Sequence, residues 1–226
     1  MTPDKRSEIL ETTAAAVRTC TRCRLHRTRY RAVPGEGPID APVFLIGEAP
    51  GRDEDTSGRP FVGAAGKVLD KVLQVAGLPR PQLYITNVVK CRPPENRAPK
   101  ADEIASCRPY LLAQLEAVQP KIIVSLGATA LRGLLGPSAR FREARGKGIE
   151  FGRVPLLPTY HPAAVLYNRR IEGEIRNDLR AAARLVSAET SGIRRGRGRK
   201  RNRSHRVSAG SRGPSRAAKR SARPSR

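Results

Sequence analysis

The sequence predicts an α/β fold: a three-layer α/β/α domain on a central four-stranded parallel sheet, with a disordered C-terminal tail. Three observations carry that prediction. Short, continuous apolar runs alternate four times with longer segments of helical periodicity, the pattern of a parallel sheet covered on both faces. Glu48, Asn87, Gly127 and His161 fall at or just beyond the carboxyl ends of those runs, where open α/β sheets place their ligand sites. From Gly192 onward apolar residues give way to Arg, Ser, Gly and Pro, a composition that cannot offset the entropy of ordering. The expected boundaries are a folded domain over 1–191 and a basic tail over 192–226.

In chain order, Ser7 to Val17 reads as a short helix leading into Cys20 and Cys23, and a basic segment from Arg24 to Arg31 follows. Val43 to Ile46 is too brief for a helix and is bounded by Pro42 and Gly47, so it is the first strand. Gly47, Pro50 and Gly51 then force a tight loop around Glu48. From Ala64 to Ala76, Val68, Leu69, Val72, Leu73 and Ala76 recur at helical spacing, and Gly77 ends the helix. Leu83 to Val89 is the second strand, followed by a Pro-rich loop from Cys91 to Pro99 and a helix over Ala101 to Val118 carrying Cys107. Ile122 to Leu126 is the third strand, with a short helix to Leu135. After an irregular basic stretch, Val154 to Pro158 gives the fourth strand and delivers Tyr160-His161-Pro162 into a loop. A helix from Glu172 to Val186 closes the domain.

The formal net charge is +24, of which +14 lies in Gly192–Arg226, leaving +10 for residues 1–191. A polyanionic partner follows, and nucleic acid is the commonest; the tail reads as a sequence-independent phosphate tether. No apolar run reaches the length of a membrane span, and the first residues lack a signal-peptide core. The expectation is a soluble, cytoplasmic monomer with no membrane partner, in a compartment where thiols stay reduced.

The four cysteines are Cys20, Cys23, Cys91 and Cys107: one close pair and two distant single residues. Zinc sites usually present two close knuckles, whereas an iron–sulfur cluster tolerates irregular spacing. The set therefore favours a [4Fe–4S] cluster of structural role, with a zinc ion and unliganded core thiols as the alternatives.

Taken together, Gly47-Glu48-Ala49-Pro50-Gly51, Gly58-Arg59-Pro60-Phe61-Val62-Gly63, Tyr84 to Pro94 and His161-Pro162 resemble the family 4, iron–sulfur members of the uracil-DNA glycosylase superfamily. The four cysteine positions match as well. The likeness spans about Cys20 to Val186 and omits the tail. One relative traps DNA through a histidine in an Arg-rich loop; Arg92 to Pro99 holds none, which argues against that variant.

The resemblance implies a DNA repair enzyme that flips uracil out of single- or double-stranded DNA and hydrolyses its N-glycosidic bond. It implies Phe61 as the stacking platform for the flipped ring and Asn87 as the reader of the base, since a carboxamide matches the N3–H and O4 of uracil but not cytosine. His161 is expected to stabilise charge developing on O2, and Glu48 to serve the sugar cation or the attacking water. Ala49 and Pro50 line the pocket through their backbone, and Asn96 positions water. Glu54 and Asp55 read as loop-ordering residues or as a wall against the methyl group of thymine. The rival readings are a non-catalytic binder of damaged or single-stranded nucleic acid, against which Glu48 argues, and a glycosylase for another base such as hypoxanthine, which Asn87 disfavours.

Overall fold

Successive side chains of a strand point to opposite faces of its sheet, and in Val43–Gly47 both faces are apolar and buried. Val43 and Leu45 enter one core, with Leu69, Val72, Leu73, Ile175 and Leu179. Phe44 and Ile46 enter the other, with Val17, Leu111, Leu131 and Leu134. Such a strand must lie inside a sheet sandwiched between helices. The computed structural model describes residues 1–196, so most of the expected tail lies outside the described residues.

The elements run α1 (Pro3–Arg18), β1 (Val43–Gly47), α2 (Arg52–Ser57), α3 (Ala64–Ala76), β2 (Leu83–Asn87), α4 (Ala101–Val118), β3 (Ile122–Leu126), α5 (Ala128–Leu135), α6 (Phe141–Ala144), β4 (Ile149–Phe151), β5 (Val154–Thr159) and α7 (Arg170–Gly196). Short 3-10 turns at Arg24–Arg27, Pro94–Asn96 and Pro162–Leu166 join them. Helices α3 and α7 cover one face of the sheet, and α1, α4 and α5 the other.

The sheet order is β2-β1-β3-β5-β4. The first four strands in that order are parallel, and β4 runs antiparallel to β5 through Ile149↔Leu156 and Phe151↔Val154. The α/β/α architecture is the expected one, but the sheet has five strands rather than four. The fifth lies in the stretch expected to be irregular, because three half-exposed residues pairing with one neighbour leave no apolar run to detect.

Other boundaries shift for local reasons. Helix α1 starts at Pro3, not Ser7, because the Thr2 hydroxyl accepts from the Lys5 N–H and Pro3 is pre-set for a first turn. Strand β2 stops at Asn87 because the N–H groups of Val88 and Val89 turn to bond the Gly47 and Glu48 carbonyls at 3.0 and 3.3 Å. Helix α2, unforeseen in the loop after β1, carries Asp53, Glu54 and Asp55 in its first turn, where carboxylates complement the helix dipole. Helix α7 runs on to Gly196, past Val186 and past the expected domain boundary.

From β1 the chain crosses to β2 on one side, then returns to β3 on the other. The crevice beyond the carboxyl ends of β1 and β3 is thus the topological switch point, the ligand-binding position of an open α/β sheet.

Candidate active site and cysteine pocket

A cleft of about 500 Å³ opens at this switch point, within the size range of small-molecule sites. Its lining includes Glu48, Ala49, Pro50, Phe61, Asn87, Asn96 and His161, so every non-cysteine site residue expected from sequence reaches one cavity. Four separated segments supply them: the exits of β1, β2 and β5 and the loop between α2 and α3.

Asn87 is the last residue of β2 and only 1% exposed. Its Oδ1 is buried without a hydrogen-bond partner among the described residues. A buried acceptor left unpaired costs about 1–3 kcal/mol, so a ligand N–H at this position recovers that energy. Gly47 faces it across β1 and β2, and a Cβ there would lie 2.3 Å from Asn87 Oδ1 and 2.5 Å from Phe61 Cζ. Glycine is therefore what lets the amide and the ring share the site.

Phe61 is buried and has φ +52°, a conformation that few bulky residues adopt. Its ring centroid lies 5.7 Å from that of His161, tilted by 33°. Two devices hold this backbone. Glu54 Oε1 accepts from the Val62 and Gly63 N–H groups at 2.9 Å each, and its Oε2 accepts from Gly51 N–H at 3.0 Å. On the other side Arg80 donates to the Pro60 and Phe61 carbonyls at 2.6 and 3.0 Å, and is itself held by Glu36 and Asp70. Asp55, buried, accepts from the N–H groups of Tyr30 and Arg31. Both acids are loop-ordering residues.

His161 follows β5, whose end is fixed where Thr159 Oγ1 donates to Asp178 at 2.6 Å and Arg145 pairs with the same carboxylate. Gly127, at φ +90°, lets the two strand ends approach; a Cβ there would lie 3.2 Å from His161 Cβ. The His161 Nδ1 accepts from the Ala163 N–H at 3.2 Å. The ring's proton must then sit on Nε2, which makes it a donor. Burial pushes the His161 pKa below its ordinary value, only partly opposed by Glu48 and Glu54, so the neutral ring is the resident form.

The Glu48 carboxylate makes no hydrogen bond or ion pair among the described residues and lines the cleft. Asn96, at φ +55°, has its Oδ1 occupied by Arg92 Nε at 2.8 Å, leaving its amide N–H₂ to face a ligand or water.

Two large lining residues, Arg97 and Tyr167, escaped sequence reasoning. Arg97 forms a bidentate pair with the buried Glu103 at 2.8 and 2.7 Å, and that pair holds the Glu103 carboxyl below its usual range. Its signal, a bidentate partner on the next helix, exists only in three dimensions. Tyr167, 93% exposed, lines the cavity, and its chain neighbour Leu166 is 54% exposed. The preceding His161-Pro162 was a usable pointer to them.

A second pocket is lined by all four cysteines: Cys20 and Cys23 after α1, Cys91 after β2, and Cys107 on α4. Donors already surround the sulfurs. The backbone N–H groups of Arg22 and Lys90 reach Cys20 and Cys107 at 3.4 and 3.3 Å, and Arg29 reaches Cys91 at 3.0 Å. Burial raises the thiol pKa of Cys107 to about 11 and pushes those of Cys91 and Cys23 up as well. Anionic sulfur there thus calls for compensating cations. Among the described residues no three Cys, His, Asp or Glu side chains converge on a point that one ion could occupy. Four thiols around a common space, already met by N–H donors, are a donor set that fits an iron–sulfur cluster.

Lys90 links the two pockets. Lys90, fully buried, donates through Nζ to Thr86 Oγ1, Asn87 O and Gln114 Oε1 at 2.5, 2.8 and 2.7 Å, while its backbone N–H serves Cys107. Glu103 and Cys107 lie one turn apart on α4, so a single helix face grips the cleft loop and the cysteine pocket together.

Comparison with known proteins agrees with this geometry. The family model described as the uracil DNA glycosylase superfamily matches residues 34–183. A type-4 uracil-DNA glycosylase of Thermotoga maritima is 45% identical over 169 residues, covering 74% of this chain and 88% of that protein. Its counterpart in Saccharolobus solfataricus is 42% identical over 189 residues, covering 80% and 88% respectively. A type-5 uracil-DNA glycosylase of Pyrobaculum aerophilum is 34% identical over 157 residues, covering 61% and 68%. The chain belongs to the uracil DNA glycosylase superfamily, in its type-4 branch.

Proposed function

We propose that this protein is a DNA repair uracil-DNA glycosylase that takes uracil out of the DNA stack and hydrolyses the bond between uracil N1 and deoxyribose C1′. The observation that carries the reading is the unpaired Asn87 Oδ1, buried at the back of a cleft whose walls are an aromatic ring and a neutral histidine. Uracil offers N3–H to that acceptor and O4 to the same amide's N–H₂, while cytosine offers an acceptor and a donor in the wrong places. A mismatch leaves buried groups unpaired, which is why such sites discriminate strongly.

In the reaction the N1–C1′ electron pair leaves with uracil, and negative charge spreads to O2. The Nε2–H of His161 donates to O2 and gains strength as that charge grows, so it favours the transition state over the bound substrate. Phe61 stacks on the ring, an interaction worth about 1–3 kcal/mol per base. Glu48 faces the sugar cation and takes the proton of the water that adds to C1′; the Asn96 amide orients that water. The products are free uracil and an abasic site. Ala49 and Pro50 shape the cavity, and the exposed Tyr167 on its lining, with its chain neighbour Leu166, suits insertion into the gap left by the flipped base.

Cys20, Cys23, Cys91 and Cys107 would hold a [4Fe–4S] cluster. Bound there, the cluster supplies a structural crosslink among α1, the β2 exit and α4; none of the catalytic residues depends on its redox chemistry. Among the described residues no helix is long and apolar enough to cross a membrane. We take the enzyme to work as a cytoplasmic monomer on single- or double-stranded DNA, with the Gly192–Arg226 segment adding phosphate attraction.

The test uses the purified holoprotein and an oligonucleotide with one uracil. Release of free uracil, with a strand break at that position only after alkali, supports the reading. An intact oligonucleotide with well-folded protein, or a break without alkali, refutes it.

A further inference from the structure

We propose that a second groove, of about 820 Å³ and separate from the base cleft, carries the stretch of DNA strand flanking the flipped nucleotide. It rests on the uracil-DNA reading above and deepens it. Arg18, Arg29, Tyr30, Arg31, Glu36 and Arg59 line this groove.

Charge comes first. Arg18, Arg31 and Arg59 bring three guanidinium groups against one carboxylate, Glu36, which pairs with Arg59 and Arg80, while the Arg29 guanidinium is turned to Cys91. Arg18 and Arg31 have no ion-pair partner among the described residues, so their charge stays available to phosphate.

Tyr30 supplies the stacking surface. It is 72% exposed, yet its backbone is not loose: its N–H donates to both oxygens of the buried Asp55 at 3.0 and 3.1 Å, and the next N–H donates to the same group at 3.3 Å. The Arg31 guanidinium lies over the Tyr30 ring, 5.5 Å from its centroid. An exposed aromatic on a fixed mount, paired with a cation and set in a basic groove, is how proteins hold unpaired nucleotides without reading sequence. Structural demand does not account for the ring, because nothing of it is buried in either core.

Position ties the groove to the cleft. Ser57, Gly58 and Arg59 form its rim, and the chain passes from Arg59 through Pro60 to Phe61. Two residues of extended chain span about 7 Å, so the rim lies beside the stacking ring. Asp55 and Glu54 are neighbours on α2; one fixes the groove wall and the other the Phe61 loop. A strand whose uracil rests on Phe61 therefore runs over a basic wall on one side.

Two uracil oligonucleotides test the groove, one of about twenty nucleotides and one with a single nucleotide on each side of the uracil. Both carry a 2′-fluorine that resists cleavage, so binding is read alone, and normal versions report excision. Tyr30→Ala and Arg31→Ser alter exposed side chains and keep the intact chain and its cluster. Each is expected to weaken the long oligonucleotide about 10-fold and leave the short one unchanged. Arg31→Ser should also reduce the salt slope for the long one by about 0.7. Excision from the short oligonucleotide should match wild type. Equal losses on both lengths, or no loss on either, overturn the groove. A wild-type protein that releases no uracil overturns the reading beneath it, a separate outcome.

Discussion

In the proposed mechanism His161 carries the acid–base logic of the site. With Nδ1 accepting from Ala163 N–H, only the Nε2 tautomer donates, and burial pushes the pKa of the ring down. The neutral donor thus persists as pH falls through the ordinary histidine value of about 6.5, and is lost only at the depressed folded value. Single-turnover excision should therefore show no histidine limb between about pH 8 and pH 6.5, whereas a loss centred at 6.5 would mean an ordinary, solvated ring. Stability carries the matching sign. Below pH 6.5 the unfolded chain binds a proton that the folded chain refuses, so stability falls with pH there, and His161→Asn should remove that part of the slope. The sequence made this residue legible, since His161 is one of three histidines and follows a strand into a loop. Its tautomer was not, because that depends on the N–H of Ala163, placed by the 3-10 turn at Pro162–Leu166.

At the level of elements, the exits of β1 and β2 and the loop from α2 to α3 form one fitted unit. Gly47→Ala would drive a methyl group into Asn87 and Phe61 together. Excision should fall about 100-fold, the usual effect of misplacing reacting groups by an ångström, while cluster absorbance stays. Unchanged excision by Gly47→Ala would show that the two side chains do not act as one site. Arg80→Ala removes both donors that hold the strained Phe61 backbone. It should weaken inhibition by free uracil and cut excision roughly 10-fold, since charged hydrogen bonds contribute about 1.5–3 kcal/mol. Arg80→Lys should restore part of both; a melting-temperature loss with normal uracil inhibition would assign Arg80 to stability alone. The four parallel strands were readable because each is a short apolar run bounded by Gly, Pro or polar residues. The edge strand β4 was not, since Ile149–Phe151 gains its structure only from pairing with β5. Helix α2 was hidden for a similar reason: its six residues are polar and its start is fixed by Glu54 reaching back to Gly51 N–H.

Across the whole molecule, the cysteine pocket and the base cleft are built on the same pieces. Lys90 bonds the Asn87 carbonyl with its side chain and Cys107 with its backbone, and α4 carries both Glu103 and Cys107. Holoprotein should contain about four irons per chain, with charge-transfer absorption near roughly 400 nm. Cys107→Ser should lower both iron content and melting temperature, while stoichiometric zinc in colourless wild-type protein would exclude the cluster. The cysteines were legible as a set, but their meeting depends on α1 and α4 packing against one face of the sheet, beside the exit of β2. The central claim is that Asn87 reads the base. It is tested most directly by single-turnover excision on oligonucleotides that differ only in one base, uracil or cytosine, for wild type and Asn87→Asp. Wild type should release uracil and leave cytosine intact; the variant should lose uracil excision and gain cytosine release below neutral pH, where a protonated carboxyl can donate to cytosine N3. Uracil excision unchanged in the variant, with no gain on cytosine, would contradict the account.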